Sequence, residues 1–166
     1  IGDLMKNVDN IIPLPNYIRA KKALGQNFLI DKSIALKIVE ALDLCKEDIV
    51  IEVGSGTGAI TSLIAPLCDE LYAVETDADL IKPLAAVLAK HDNVQIVNKD
   101  ILKTNISSLL GCNCRYKTVA NLPYYITTPV IAKFLEEENH PDLMVFMMQK
   151  EVADRICEKE GSRVYG

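Results

Sequence analysis

Four short stretches hold residue types that could do chemistry on a nucleoside. The first is Glu52-Val53-Gly54-Ser55-Gly56-Thr57-Gly58. Glycines here let the backbone turn sharply and approach a ligand, and a helix behind them would offer free N–H groups and a positive dipole end. The G-x-G-x-G spacing departs from the dinucleotide fingerprint G-x-G-x-x-G, and on its own it also suits a tight turn with no ligand. The second is Glu75, whose carboxylate is suited to accept hydrogen bonds from the two hydroxyls of a ribose, or else to cap a helix ahead of Asp77. The third is Asn98-Lys99-Asp100-Ile101: Asp100 could accept from the exocyclic amine of an adenine and Ile101 could touch its ring, although an isolated Asp before a helix is first of all an N-cap. The fourth is VANLPYYITTP at 119–129. A turn uses Asn121 and Pro123, but it has no need of Tyr124 and Tyr125. Either the tyrosines pack beneath a strand-to-helix connection, or an amide and an aromatic face grip a planar base.

The elements that must position these residues can be read from hydrophobic spacing. Short apolar stretches at 49–53, 71–75, 94–97, 116–120 and 143–148 read as strands. Helices are expected near 58–65, 78–90, 104–110, 128–138 and 150–159. An earlier helix starts at Ser33, a plausible N-cap for the run SIALKIVEALDL. Pro83 should begin the regular part of its helix or kink it. Strands alternating with helices indicate an α/β fold with a mostly parallel sheet covered on both faces. Such sheets bind ligands beyond the carboxyl ends of their strands. Gly54, Glu75, Asp100 and Asn121 all follow or end strands, so one rim should collect them.

A chain of 166 residues with 49% hydrophobic and 25% charged content suits one globular domain with a real core. LMVFMM at 143–148 is the longest aliphatic-rich run, far short of the ~20 residues a membrane-spanning helix needs. With no secretory signal recognised, a cytoplasmic protein is expected. The five cysteines (Cys45, Cys68, Cys112, Cys114, Cys157) are scattered without a CxxC pair, which suits reduced thiols and neither a zinc site nor a disulfide framework; no metal is expected. The net charge of −5 argues, taken alone, against a nucleic-acid partner. Its distribution matters more. Residues 1–37 hold six basic groups against three acidic ones, a local +3 that leaves −8 for the remainder. A polyanion could meet the N-terminal end.

The stretches GQNFLID (25–31), EVGSGTGAIT (52–61), VETD (74–77), NKDIL (98–102), NLPYYITTP (121–129) and QKEVADRI (149–156) occur together in one order and spacing. Over about residues 18–166 the chain closely resembles the S-adenosylmethionine-dependent rRNA adenine dimethyltransferases, which modify two adjacent adenosines near the 3′ end of small-subunit rRNA. The resemblance implies a Rossmann-like class I methyltransferase fold and S-adenosyl-L-methionine as cofactor. It implies a division into a lead and cofactor-covering segment, 1–32, and a methyltransferase core, 33–166. The core would lack the C-terminal strands and the small RNA-gripping helical domain of family members. Gln26, Asn27 and Leu29 would fold over the methionine part of the cofactor; many members have His in place of Asn27. Gly54 and Gly56 would approach its amino acid portion, Glu75 its ribose, and Asp100 and Ile101 its adenine. Asn121 would stand between cofactor and substrate.

An adenine amine is a poor nucleophile because its lone pair is delocalised into the ring. The Asn121 side-chain oxygen and the Leu122 carbonyl are therefore expected to accept its two hydrogens, with Pro123 fixing that carbonyl. Tyr124 is expected to stack on the extruded base. The expected partner is small-subunit rRNA in a pre-30S particle, met by a monomer without membrane contact. Three rivals stand beside this reading: a macrolide-resistance large-subunit rRNA adenine methyltransferase, an NAD-dependent oxidoreductase, and a non-catalytic ribosome-assembly factor.

Overall fold

A computed structural model describes residues 31–111 and 114–158, apart from the side chain of Tyr124. Nearly all of the expected lead, including Gln26, Asn27 and Leu29, lies outside the described residues.

Five strands, β1 (Ile49–Val53), β2 (Glu70–Val74), β3 (Val94–Val97), β4 (Lys117–Asn121) and β5 (Leu143–Met147), form one sheet in the order β3-β2-β1-β4-β5. Every pairing is parallel. Each strand falls within one residue of its expected bounds, because buried parallel strands are written as short apolar runs. The chain moves outward from β1 through β2 to β3, then returns to pair β4 against the other side of β1. The strand order thus reverses between β1 and β4, and a crevice opens there at the carboxyl ends.

Helices cover both faces. Val50, Leu71 and Val119 meet Ala35, Ile38 and Val39 of α1 (Lys32–Ala41) and Leu63 and Ile64 of α2 (Thr61–Ile64). On the other face Ile51, Val53, Tyr72 and Ala120 meet Ile106 and Leu110 of α4 (Ile106–Leu110) and Val130 and Phe134 of α5 (Tyr124–Glu136). Phe134 is fully buried and edge-on to Phe146, with ring centroids 6.4 Å apart. Truncating such a side chain to Ala costs about 3–5 kcal/mol. Leu84 and Leu88 of α3 (Ala78–Leu88) cover Ala73 of β2. α6 (Lys150–Cys157) follows β5 and has no buried residue.

Local expectations needed correcting in four places. Asp31, not Ser33, caps α1: its Oδ1 accepts from the Ser33 backbone N–H at 2.8 Å and from the Ser33 hydroxyl at 2.7 Å. α2 starts only at Thr61 and passes into a 3₁₀ turn at Ala65–Leu67, because the glycine loop uses up the residues before it. α3 starts at Ala78, so Pro83 lies inside it and does not begin its regular part. α5 begins four residues before the expected start, at Tyr124, so that Pro129 sits inside it. Pro123 is its N-cap in extended conformation, and its carbonyl accepts from the Ile126 N–H at 3.1 Å and the Thr127 hydroxyl at 3.0 Å. Those two bonds close the first turn, and Pro129 falls far enough into the helix to forfeit only one backbone bond. Among the cysteines, Cys45, Cys68 and Cys157 are free thiols as expected, whereas Cys114 is disulfide-bonded.

Candidate active site

The crevice at the switch point is a cavity of about 200 Å³ lined from four strand ends. Gly54, Ser55, Gly56 and Thr57 come from the loop after β1, Glu75 and Thr76 follow β2, Asp100 follows β3, and Asn121, Leu122 and Pro123 end and follow β4. Ile60, Leu80 and Ile126 add apolar walls.

The glycine loop is held down by backbone bonds. The N–H groups of Gly54 and Ser55 both donate to the Val74 carbonyl, at 2.8 and 3.2 Å, which ties the loop to the end of β2. Gly54 has φ +75°, in the left-handed region that favours glycine. A Cβ at this position would lie 3.1 Å from Leu122 Cδ2, so the β1 and β4 turns approach too closely for a side chain between them.

Glu75 is buried, and both of its carboxylate oxygens are engaged. Oε2 accepts from the Gly56 N–H and Oε1 from the Asp77 N–H, each at 2.8 Å. The cap of α3 is Asp77, whose side chain accepts from the Asp79 N–H at 3.1 Å, so Glu75 organises the loop and lines the cavity without capping the helix itself. A carboxylate has about four lone-pair sites, so acceptor capacity remains. Asp100 has two roles. It caps the 3₁₀ turn Ile101–Lys103 through a 3.0 Å bond from the Leu102 N–H, and it lines the cavity.

Of the expected site residues, Gly54, Gly56, Glu75, Asp100, Asn121, Leu122 and Pro123 meet in this cavity. Ile101 does not line it; its side chain is buried in the core beneath, among Val53, Val74 and Ala120. Tyr125, 53% exposed, lines the cavity next to Ile126.

Residues 18–166 match the family described as ribosomal RNA adenine dimethylase. The chain belongs to that family. It is 45% identical over 153 residues to Ribosomal RNA small subunit methyltransferase A of Pediococcus pentosaceus, across 90% of this chain and 52% of the relative. The protein of the same name from Dehalococcoides mccartyi is 46% identical over 144 residues, 87% of this chain and 50% of the relative. The chain thus spans about half the length of the curated relatives it matches. A solved dimethyladenosine transferase from Plasmodium falciparum superposes with a TM-score of 0.71 at 27% identity, over 84% of this chain and 48% of that one. The 23S rRNA methyltransferase ErmE gives 0.68 at 29% identity, over 78% and 50%. The α/β fold expected from the strand pattern is the Rossmann-like fold that this dimethylase-family chain shares with both.

Among the cavity residues without a role in the sequence reading, Glu52 is the one carboxylic acid. Glu52 is 2% exposed and lines the floor, yet in the sequence it is a single acid inside an apolar strand. Burial pushes its carboxyl up to about 8; the Thr61 and Ser55 hydroxyls oppose that rise, and the neighbouring Glu75 charge adds to it. The Thr61 hydroxyl faces the carboxyl, but neither Glu52 Oε2 nor Thr61 Oγ1 completes an aligned hydrogen bond. The cavity as a whole is acidic. Glu52, Glu75 and Asp100 line it, and no lysine, arginine or histidine does so among the described residues.

Proposed function

We propose that this chain is the cofactor-binding catalytic part of an S-adenosylmethionine-dependent enzyme that dimethylates the exocyclic amines of two adjacent adenosines near the 3′ end of small-subunit rRNA. The observation that carries this reading is the meeting of Asn121-Leu122-Pro123 with Gly54, Glu75 and Asp100 around one cavity, in a member of the rRNA adenine dimethylase family. The residues present fit the cofactor. S-adenosylmethionine carries a net positive charge, and the cavity offers three acidic side chains, apolar walls for a purine, and a loop whose backbone approaches closely.

Bound there, the cofactor supplies an electrophilic sulfonium methyl. Glu75 would accept from the ribose hydroxyls and Asp100 from the adenine amine, and Ile60, Leu80 and Ile126 would supply the apolar contact expected of Ile101. Gln26, Asn27 and Leu29, which lie outside the described residues, would cover the methionine end as the family resemblance implies. The Asn121 side-chain oxygen and the Leu122 carbonyl accept the two hydrogens of the target amine, localising the nitrogen lone pair and aiming it into the cavity. Pro123 restricts the backbone at that point, and the first turn of α5 anchors its carbonyl. Tyr124 would stack on the extruded base, as the family resemblance implies. Positioning and exclusion of water supply the rate, with no general base needed before attack. The partner is small-subunit rRNA within a pre-30S particle, met in the cytoplasm by a monomer. Among the described residues no helix is long and apolar enough to cross a membrane.

The test has two arms. Calorimetric titration with S-adenosylhomocysteine should give saturable binding, and transfer of labelled methyl groups should favour isolated small subunits over large ones. The 29% identity to ErmE supports a large-subunit reading, and labelling of large subunits alone would select it.

A further inference from the structure

Glu52 takes no part in the steps above, and its surroundings are unusual for an acid. β1 places it on the face shared with Val50, beneath an α1 surface made of Ala35, Ile38 and Val39. The β1–α2 loop and α2 offer it the Ser55 and Thr61 hydroxyls and the Thr61 backbone N–H, and no cation. β2 brings Glu75 towards it, β4 contributes Asn121 to the same cavity, and Asp100 lies beyond β3. Among the described residues the charged side chains that line the cavity are therefore all acids, and Tyr125 adds a phenol. One Glu52 oxygen, Oε2, is buried without a hydrogen-bond partner.

A carboxylate that is buried, partly unbonded and beside a like charge is costly, so the group keeps its proton in the free protein. A ligand ammonium reverses each of those conditions at once. It brings the opposite charge and an N–H donor to a buried oxygen that lacks one.

We propose that Glu52 is a proton-linked binding residue: a carboxylic acid in the free cavity that releases its proton to solvent when the ammonium end of the cofactor arrives. The inference rests on the cofactor reading given above. The covalent change is a single O–H dissociation at Glu52; the proton leaves to buffer and the ammonium keeps all of its own. Cofactor affinity then rises with pH across the range in which free Glu52 is still protonated, up to about tenfold per pH unit.

Calorimetry of S-adenosylmethionine binding at pH 6.5, in two buffers of different ionisation enthalpy, counts the protons released. At that pH the cofactor's own amine is protonated, since α-amino groups titrate at about 7.7–8.0. Release of close to one proton per bound cofactor is expected from the wild type and almost none from Glu52→Gln, whose binding should also be flat between pH 6 and 7. Binding without net release in the wild type, or equal release from the variant, would overturn the proposal while leaving the cofactor reading intact. A complete absence of binding heat would remove both. Should Glu52→Gln fail to fold, carbon-13 labelling of the glutamate carboxyls decides the matter in the wild type. One carboxyl must titrate near pH 8 in the free chain and be ionised in the complex, and titration of all of them below pH 6 overturns the inference.

Discussion

On the β1–β2 side of the cavity the backbone is tied down before any ligand arrives. Gly54 and Ser55 share the Val74 carbonyl, and Gly56 and Asp77 share the Glu75 carboxylate. On the β4–α5 side, Asn121, Leu122 and Pro123 are only half-buried, and Tyr125 faces outward with about half its surface exposed. The difference matches the sizes of the two proposed ligands. A small cofactor is gripped best by a site already in its bound shape, since less order is lost on binding. A base swung out of an RNA strand needs an open approach.

Substitutions on the two walls should therefore fail in different ways. The largest effect is expected from Asn121→Ala: methyl transfer falls by about 10²- to 10³-fold, the range seen when one positioned polar group is lost, while the calorimetric cofactor affinity stays near wild type. A parallel loss of cofactor binding would erase the distinction between the walls. Glu75→Ala is expected to weaken cofactor binding by about 10- to 100-fold, because charge-assisted bonds to the loop and to the ligand disappear together. Its rate at saturating cofactor should recover more fully than that of Asn121→Ala. Tyr124→Ala should raise the KM for small subunits by about tenfold without altering cofactor affinity, as expected for a stacking contact. Gly54→Ala should lower stability by about 1 kcal/mol in denaturant unfolding, from the left-handed backbone and the encounter with Leu122.

Much of the positioning was legible in the sequence, and the reason is physical. A parallel strand buried on both faces must be apolar, so its ends are marked where polar residues begin; that alone located Glu75, Asp100 and Asn121. The start of α5 was less legible because Pro129 looks like a helix boundary, whereas Pro123 had already set the first turn through its carbonyl. Ile101 was drawn into the site by its neighbour Asp100, but the 3₁₀ turn directs its side chain into the core. Glu52 was invisible as a site residue. An acid within an apolar strand does not announce that the nearest charged group is another acid. That depends on which strands flank β1, and the strand order is set by topology.

The same buried acid determines which direction of pH change threatens the fold. Because the native state holds the Glu52 proton more tightly than the usual 4.5 of the unfolded chain, its stabilising share is complete below that value and drains away as pH climbs through about 8. Thermal unfolding followed from pH 5 to 9 should accordingly show the wild type falling progressively behind Glu52→Gln, and a constant gap would contradict this. Most carboxylates make proteins vulnerable to acid; here the centre of the sheet is hardened against acid and exposed to alkali.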